Sequence, residues 1–260
     1  MSGLRKLHIV LLTALSLFIS GCADDSESRK TELTISAAAS LREVMEEAGQ
    51  LYMEQNPGIK IVFNFGGSGS LQQQISQGAP VDLFISAAED KFDSLLSKKL
   101  IDQQHNVKLL RNELVMITQK ENKDINSVES LTSANIERIA MGTAESVPAG
   151  MYTKQALLSL QLWEKLEQKV IPAKDVRQVL SYVETGNVDA GFVYKTDALI
   201  SDKIRIIPLT GKALHDPIVY PVGVVAGTEH PNASIDFFNF LNGQEAMNIF
   251  KKYGFKAALE

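Results

Sequence analysis

The sequence predicts an α/β fold in two lobes, each a mostly parallel sheet flanked by helices. Three observations predict it. Short apolar strands alternate with amphipathic helices along most of the chain. The 239 residues from Cys22 onward can build two packed units of about 110–120 residues each. A late apolar run, Tyr220–Ala226 (YPVGVVA), reads as a strand returning to the first lobe, so the second lobe is inserted in the first. Two crossings between lobes make a hinge, and the groove between them is the expected ligand site.

The elements follow in order. Leu33–Ala37 is the first strand. The helix after it places Leu41, Val44, Met45, Ala48, Leu51 and Tyr52 on one face, at three- and four-residue spacing, and Pro57-Gly58 ends it. Ile59, Ile61, Phe63 and Phe65 alternate as in a half-buried strand. Gly66–Ser70 (GGSGS) turns into a short helix carrying Leu71 and Ile75, closed by Gly78. Val81–Ser86 is a third strand, and Phe92, Leu95 and Leu96 mark the next helix. Leu114–Thr118 is a strand where the chain leaves the first lobe, and Ile139–Gly142 opens a second βα series. Helices are expected over about Gly150–Leu160 and Asp175–Thr185, the latter capped by Gly186. Ala190–Tyr194 is a buried strand, and Ile235–Leu241 begins a C-terminal helix.

The N-terminus bears on location. Arg5 and Lys6 precede an apolar run, Leu7–Ile19, too short to span a bilayer comfortably but suited to a signal peptide. It ends in Ile19-Ser-Gly-Cys22, which resembles the lipobox of bacterial lipoproteins. Cys22 is the only cysteine, so no internal disulfide exists and lipid attachment is its expected role. The expected organisation is 1–21 as signal peptide, 22–30 as lipidated tether, 31–111 with 221–260 as lobe 1, and 112–220 as lobe 2. The mature chain would sit outside the cytoplasmic membrane, held by lipid. Removing Arg5 and Lys6 takes the formal net charge from −5 to −7, which disfavours nucleic acid as a partner.

Four strand-to-helix junctions carry small or hydroxyl residues: Ser40, Ser68, Ala149 and Val176. In an open α/β sheet such junctions gather at the carboxyl edge, where ligands bind. Free N–H groups at helix starts favour anions there. Each also has a plainer reading. Ser40-Leu-Arg-Glu43 fits a capping box, in which Ser40 serves its own helix. Gly66–Ser70 fits a tight turn. Ala149 and Val176 carry no polar side chain, and Tyr194, at a strand end, fits core packing. Recurrence at equivalent junctions in both lobes favours the site.

An enzyme is not expected. No phosphate-loop motif occurs, and Gly66-Gly-Ser-Gly-Ser70 departs from the nucleophile elbow at its last position. His105, His215 and His230 are isolated, without metal-ligand spacing. No cofactor is expected.

Five segments occur in order: Ala37-Ala-Ala-Ser-Leu41, Gly78-Ala-Pro-Val-Asp-Leu-Phe-Ile-Ser-Ala87, Val147-Pro-Ala-Gly150, Asp175-Val-Arg177 and Phe250-Lys-Lys-Tyr-Gly-Phe255. Together they resemble the molybdate-binding proteins of molybdate ABC importers, over about residues 31–256. The resemblance implies a two-lobed, periplasmic-binding-protein-like fold gripping an oxyanion between lobes, with an importer permease and a cytoplasmic ATPase as partners. It implies Ser40 and Ser68 as hydroxyl donors, Ala149 and Val176 as backbone donors, and Tyr194 as a phenol donor. Molybdenum or tungsten would be held through its oxygens, with no side chain as a direct metal ligand. A monomer is expected.

The chemistry suits these residue types. Molybdate and tungstate are tetrahedral dianions with acceptor oxygens only, so a dry site of dense neutral donors matches them. A phosphate that keeps a proton would need an acceptor, which this set lacks. Another tetrahedral oxyanion, sulfate or phosphate, is the alternative ligand. The inserted lobe implies capture on one lobe followed by hinge closure.

Overall fold

In the computed structural model, residues 30–211 and 213–258 are described. The expected signal peptide, Cys22 and all of the expected tether except Lys30 lie outside them. Strand β1 (Thr31–Ala38) buries Leu33, Ile35 and Ala37 completely and leads through a tight 3-10 turn, Ala39–Leu41, into α1 (Arg42–Gln55). The face of α1 predicted to be apolar, Val44, Met45, Ala48 and Tyr52, is buried. Strand β2 (Ile59–Gly66) pairs in parallel with β1 along its length. The chain continues through α2 (Ser68–Ser76), β3 (Leu83–Ile85), α3 (Glu89–Ser97) and β4 (Ile101–Arg111).

After Asn112 and Glu113 the chain enters a second sheet. Its elements are β5 (Leu114–Gln119), β6 (Ile139–Gly142), α4 (Pro148–Ser159), α5 (Trp163–Leu166), β7 (Val170–Ala173), α6 (Val176–Glu184), β8 (Ala190–Tyr194), α7 (Lys195–Leu199) and β9 (Ile204–Pro208). Strand β10 (Val219–Val225) returns to the first sheet, followed by α8 (Pro231–Leu241), α9 (Gln244–Lys252) and the short β11 (Lys256–Ala257).

The first sheet has the order β11-β4-β10-β3-β1-β2 and the second β7-β6-β8-β5-β9. The α/β architecture in two lobes is as predicted, but the pairing corrects the expectation of mostly parallel sheets. Only β1–β2, β1–β3, β6–β7 and β6–β8 are parallel among the described residues; β10 runs antiparallel between β3 and β4, and β5 antiparallel between β8 and β9. The reason lies at the crossings. Strands β5 and β10 each arrive from the other lobe, without the crossover helix that makes a neighbour parallel. Among the described residues no helix is long and apolar enough to cross a membrane.

Two junctions bring backbone to backbone. The N–H of Gly69 donates to Ser146 O at 2.9 Å, tying α2 of one lobe to the loop before α4 of the other. A Cβ on Gly69 would lie 2.8 Å from Ser146 Cα and 2.9 Å from its carbonyl oxygen. Inside the second lobe, a Cβ on Gly150 would come within 1.9 Å of Gly142 O, so α4 can start against the end of β6 only with glycine there.

Candidate anion site between the lobes

All five residues singled out from the sequence line one small cavity between the lobes. Ser68 and Ala149 are 0 % exposed, Tyr194 1 %, Ser40 and Val176 3 %. A larger groove, lined by 111–115, 208–209, 211 and 213–218, mixes Arg111 and His215 with the carboxylates of Glu113 and Asp216, which suits an anion less well.

The first wall comes from the lobe of β1. Ser40 sits in the 3-10 turn, and its Oγ lies 3.0 Å from the Tyr220 hydroxyl. The capping-box reading of Ser40 and Glu43 does not hold: α1 begins at Arg42 with no side-chain cap, and the Glu43 carboxylate pairs with the Arg177 guanidinium. A long-range ion pair has taken the partner that the local motif needed. Ser68 is the first residue of α2, and its Oγ accepts from the N–H of Ala87 at 2.9 Å. Gly66–Ser70 is therefore more than a turn; it is the end of β2 followed by a helix start.

The second wall comes from the inserted lobe. Pro148 occupies the first position of α4, suited to a residue without an N–H, and Ala149 the second. Val176 opens α6 behind Asp175, whose carboxylate caps the helix by accepting from Gln178 N–H at 2.9 Å. At such positions a backbone N–H has no carbonyl one turn earlier to meet. Tyr194 closes β8, its hydroxyl 3.5 Å from Ala87 O of the other lobe. Burial, with Tyr220, Tyr152 and Asp197 alongside, holds its phenol well above the usual range, so at neutral pH it remains an O–H donor.

Among the described residues no lysine, arginine or histidine lines the cavity, and the one charged residue that does, Asp175, has a carboxylate oxygen engaged by Gln178 N–H. Arg177, next to Val176, is occupied elsewhere. Its Nε donates to Ala39 O at 3.2 Å and its second nitrogen to Ser40 O at 3.4 Å, while the guanidinium pairs with Glu43 and lies 3.1 Å from Asp197 Oδ1. This cation thus ties α6 of one lobe to the turn at Ser40 of the other. Asp197 is fully buried, and its other oxygen accepts from Tyr194 N–H at 3.2 Å. Burial pushes its carboxyl up to about 6 against the opposing pull of Arg177 and that N–H. No cluster of three or more His, Cys, Asp or Glu that could hold a metal cation occurs among the described residues.

A small cavity between two lobes, lined by buried residues, is the geometry of a receptor for a small solute, and the family comparison agrees. The model of the bacterial extracellular solute-binding proteins matches residues 33–256. The chain belongs to that family. YvgL of Bacillus subtilis (strain 168), named as a candidate ABC transporter substrate-binding lipoprotein, is 47 % identical over 258 residues, 97 % of this chain and 99 % of that one. The molybdate-binding protein ModA of Escherichia coli (strain K12) is 38 % identical over 257 residues, 96 % and 98 % of the two chains. Among solved structures, the substrate-binding domain of a candidate molybdenum ABC transporter from Clostridium difficile has 41 % identity and a TM-score of 0.67, covering 87 % of this chain and 99 % of that one. As a solute-binding protein the chain is extracytoplasmic and not an enzyme.

The residues around the cavity that sequence reading missed are Arg177, Asp197, Asn112 and Tyr220. Arg177 and Tyr220 stood inside recognised segments but had no visible partner there. Asp197 lies in Tyr194-Lys-Thr-Asp197, whose three-residue spacing was the available sign that it reaches back to the Tyr194 N–H.

Proposed function

We propose that this solute-binding protein captures molybdate, or the isosteric tungstate, in the cavity between its lobes and delivers it to the permease of an ABC importer driven by a cytoplasmic ATPase. The observation that carries the reading is the convergence of Ser40, Ser68, Ala149, Val176 and Tyr194, all buried and uncharged, on one cavity. Such a set stabilises a fully ionised oxyanion without a counter-charge. Relatives named as molybdate-binding over nearly the full chain support it. The lipobox-like Ile19–Cys22, and the lipoprotein name of a close relative, support anchoring through lipid on Cys22. The lobes correspond to 31–111 with 221–260 and to 112–220, save that Val219 and Tyr220 already belong to β10 of the first sheet, and the protein acts as a monomer.

In this mechanism the ion lands on one wall and the hinge swings the other onto it. Gly69 N–H to Ser146 O and the Arg177 contacts to Ala39, Ser40 and Glu43 then lock the closed form. Small-angle scattering of the chain with and without molybdate should show a smaller radius with the ion; an unchanged radius would count against closure. A thermal-shift panel of molybdate, tungstate, sulfate, phosphate and common metabolites tests the ligand. Molybdate and tungstate should raise the melting temperature at micromolar levels. A larger shift with sulfate or phosphate would replace the reading.

A further inference from the structure

Behind Ser40 lies a chain of hydrogen bonds with one end of fixed direction. The side-chain oxygen of Asn112 accepts from the backbone N–H of Glu113 at 2.9 Å, and that N–H can only donate. The amide orientation is thereby fixed, with Nδ2 facing the other way. Its two protons go to Thr196 Oγ1 at 2.9 Å and to the Tyr220 hydroxyl oxygen at 3.2 Å. Tyr220 is 0 % exposed, so its own proton needs an acceptor inside the protein. The Ser40 Oγ, 3.0 Å away, supplies one. Ser40 then accepts from behind, and its own proton is free to point into the cavity it lines. The reverse assignment, Ser40 donating to Tyr220, would leave a buried phenol proton unpaired.

We infer that Asn112 and Tyr220 are positioning residues that fix Ser40 as a hydrogen-bond donor to the bound anion, which tunes the site to tetrahedral ions that carry no proton. The inference rests on the functional reading above and deepens it. Ser68 is set the same way, since the Ala87 N–H occupies its acceptor side. Both hydroxyls of the first wall thus have protons available for the cavity. Asn112 sits where the chain crosses from β4 to β5, so the hinge itself carries the first link. Burial also raises the Tyr220 phenol well above its usual range, which keeps its proton in place at neutral pH.

The test is a set of double-mutant cycles on molybdate affinity, measured by calorimetry on the purified full chain. Asn112→Asp keeps the shape but replaces the donating nitrogen by an acceptor. The Tyr220 proton then turns to residue 112, and Ser40 turns from the anion. Affinity should fall about tenfold or more. Tyr220→Phe, which keeps the ring packing, should lower it several-fold. In a Ser40→Ala background each change should cost less than about twofold, because its effect runs through Ser40. Undiminished losses in that background would overturn the inference; for Asn112→Asp they would point to charge repulsion instead. Melting temperatures of the ion-free variants separate folding defects from lost tuning, and two chemically different variants keep the cycle decisive if one fails to fold. If the unaltered chain bound no molybdate, the functional reading would fall, and the tuning with it. If it bound but the cycles were additive, only the tuning would fall.

Discussion

In the proposed function the two walls of the cavity offer the same thing, neutral protons for an anion, by different means. The wall from the β1 lobe carries side-chain hydroxyls: Ser68, whose Oγ accepts from Ala87 N–H, and Ser40, which we infer accepts from Tyr220. The wall from the inserted lobe uses backbone N–H groups at the starts of α4 and α6, with Tyr194 as its one hydroxyl. Hydroxyls need second residues to set their direction. Backbone donors are set by the helix itself and survive any substitution that keeps the helix and is not proline. The first wall is therefore open to retuning by mutation, whereas the second is almost mutation-proof.

The largest effect should come from keeping the walls apart. Gly69→Val would drive a side chain into the Ser146 backbone of the other lobe. Overpacking of that kind costs about 1–3 kcal/mol or more, so molybdate affinity should drop up to about 100-fold by calorimetry. The ion-free protein should lose little stability, because the clash arises between lobes rather than within one.

Next come single donors, one from each wall. Ser40→Ala removes a hydroxyl, and Val176→Pro removes an N–H at a first helical position, where proline fits behind the extended Asp175. Each should cost about 1.5–3 kcal/mol of binding, roughly 10- to 150-fold. If Val176→Pro bound molybdate as tightly as the native chain, the backbone wall would have no role.

A pH dependence belongs to the second wall alone. The Asp197 carboxyl that holds the Tyr194 N–H is raised to about 6 in the fold, above its ordinary 3.8. Between those values the unfolded chain has released the proton and the folded chain has kept it, so stability falls as pH rises. This contribution is full below about pH 3.8 and lost once pH passes about 6, on the order of 3 kcal/mol in all. Denaturant titrations from pH 4 to 7 should show this slope in the native chain and a flatter one in Asp197→Asn. The smallest effect is Val176→Ala, which keeps the N–H and should change affinity less than about threefold.

What could be read in the sequence follows the same division. Strand-helix junctions are local patterns, so Ser40, Ser68, Ala149 and Val176 could be found before any coordinates, and they do meet in one cavity. Strand β4 could not: only Ile101, Leu109 and Leu110 are buried in an otherwise polar run, because its middle is half-exposed. The capping box at Ser40 was a genuine local signal, overridden by Arg177, which lies 134 residues from Glu43. The Tyr220 hydroxyl and Ser40 Oγ are 180 positions apart, and no local pattern links them. Mixed pairing was hidden for a similar reason, since hydrophobic runs give a strand's existence but not its direction.

The central claim is that uncharged donors from both walls hold one doubly negative ion. A crystal structure of the chain grown with molybdate, with the metal located by its anomalous signal, tests it most directly. The account predicts one molybdenum peak in the cavity, with its oxygens about 3 Å from Ser40 Oγ, Ser68 Oγ, the Ala149 and Val176 nitrogens and the Tyr194 hydroxyl. A peak elsewhere, or an ion held by lysine or arginine, would contradict it.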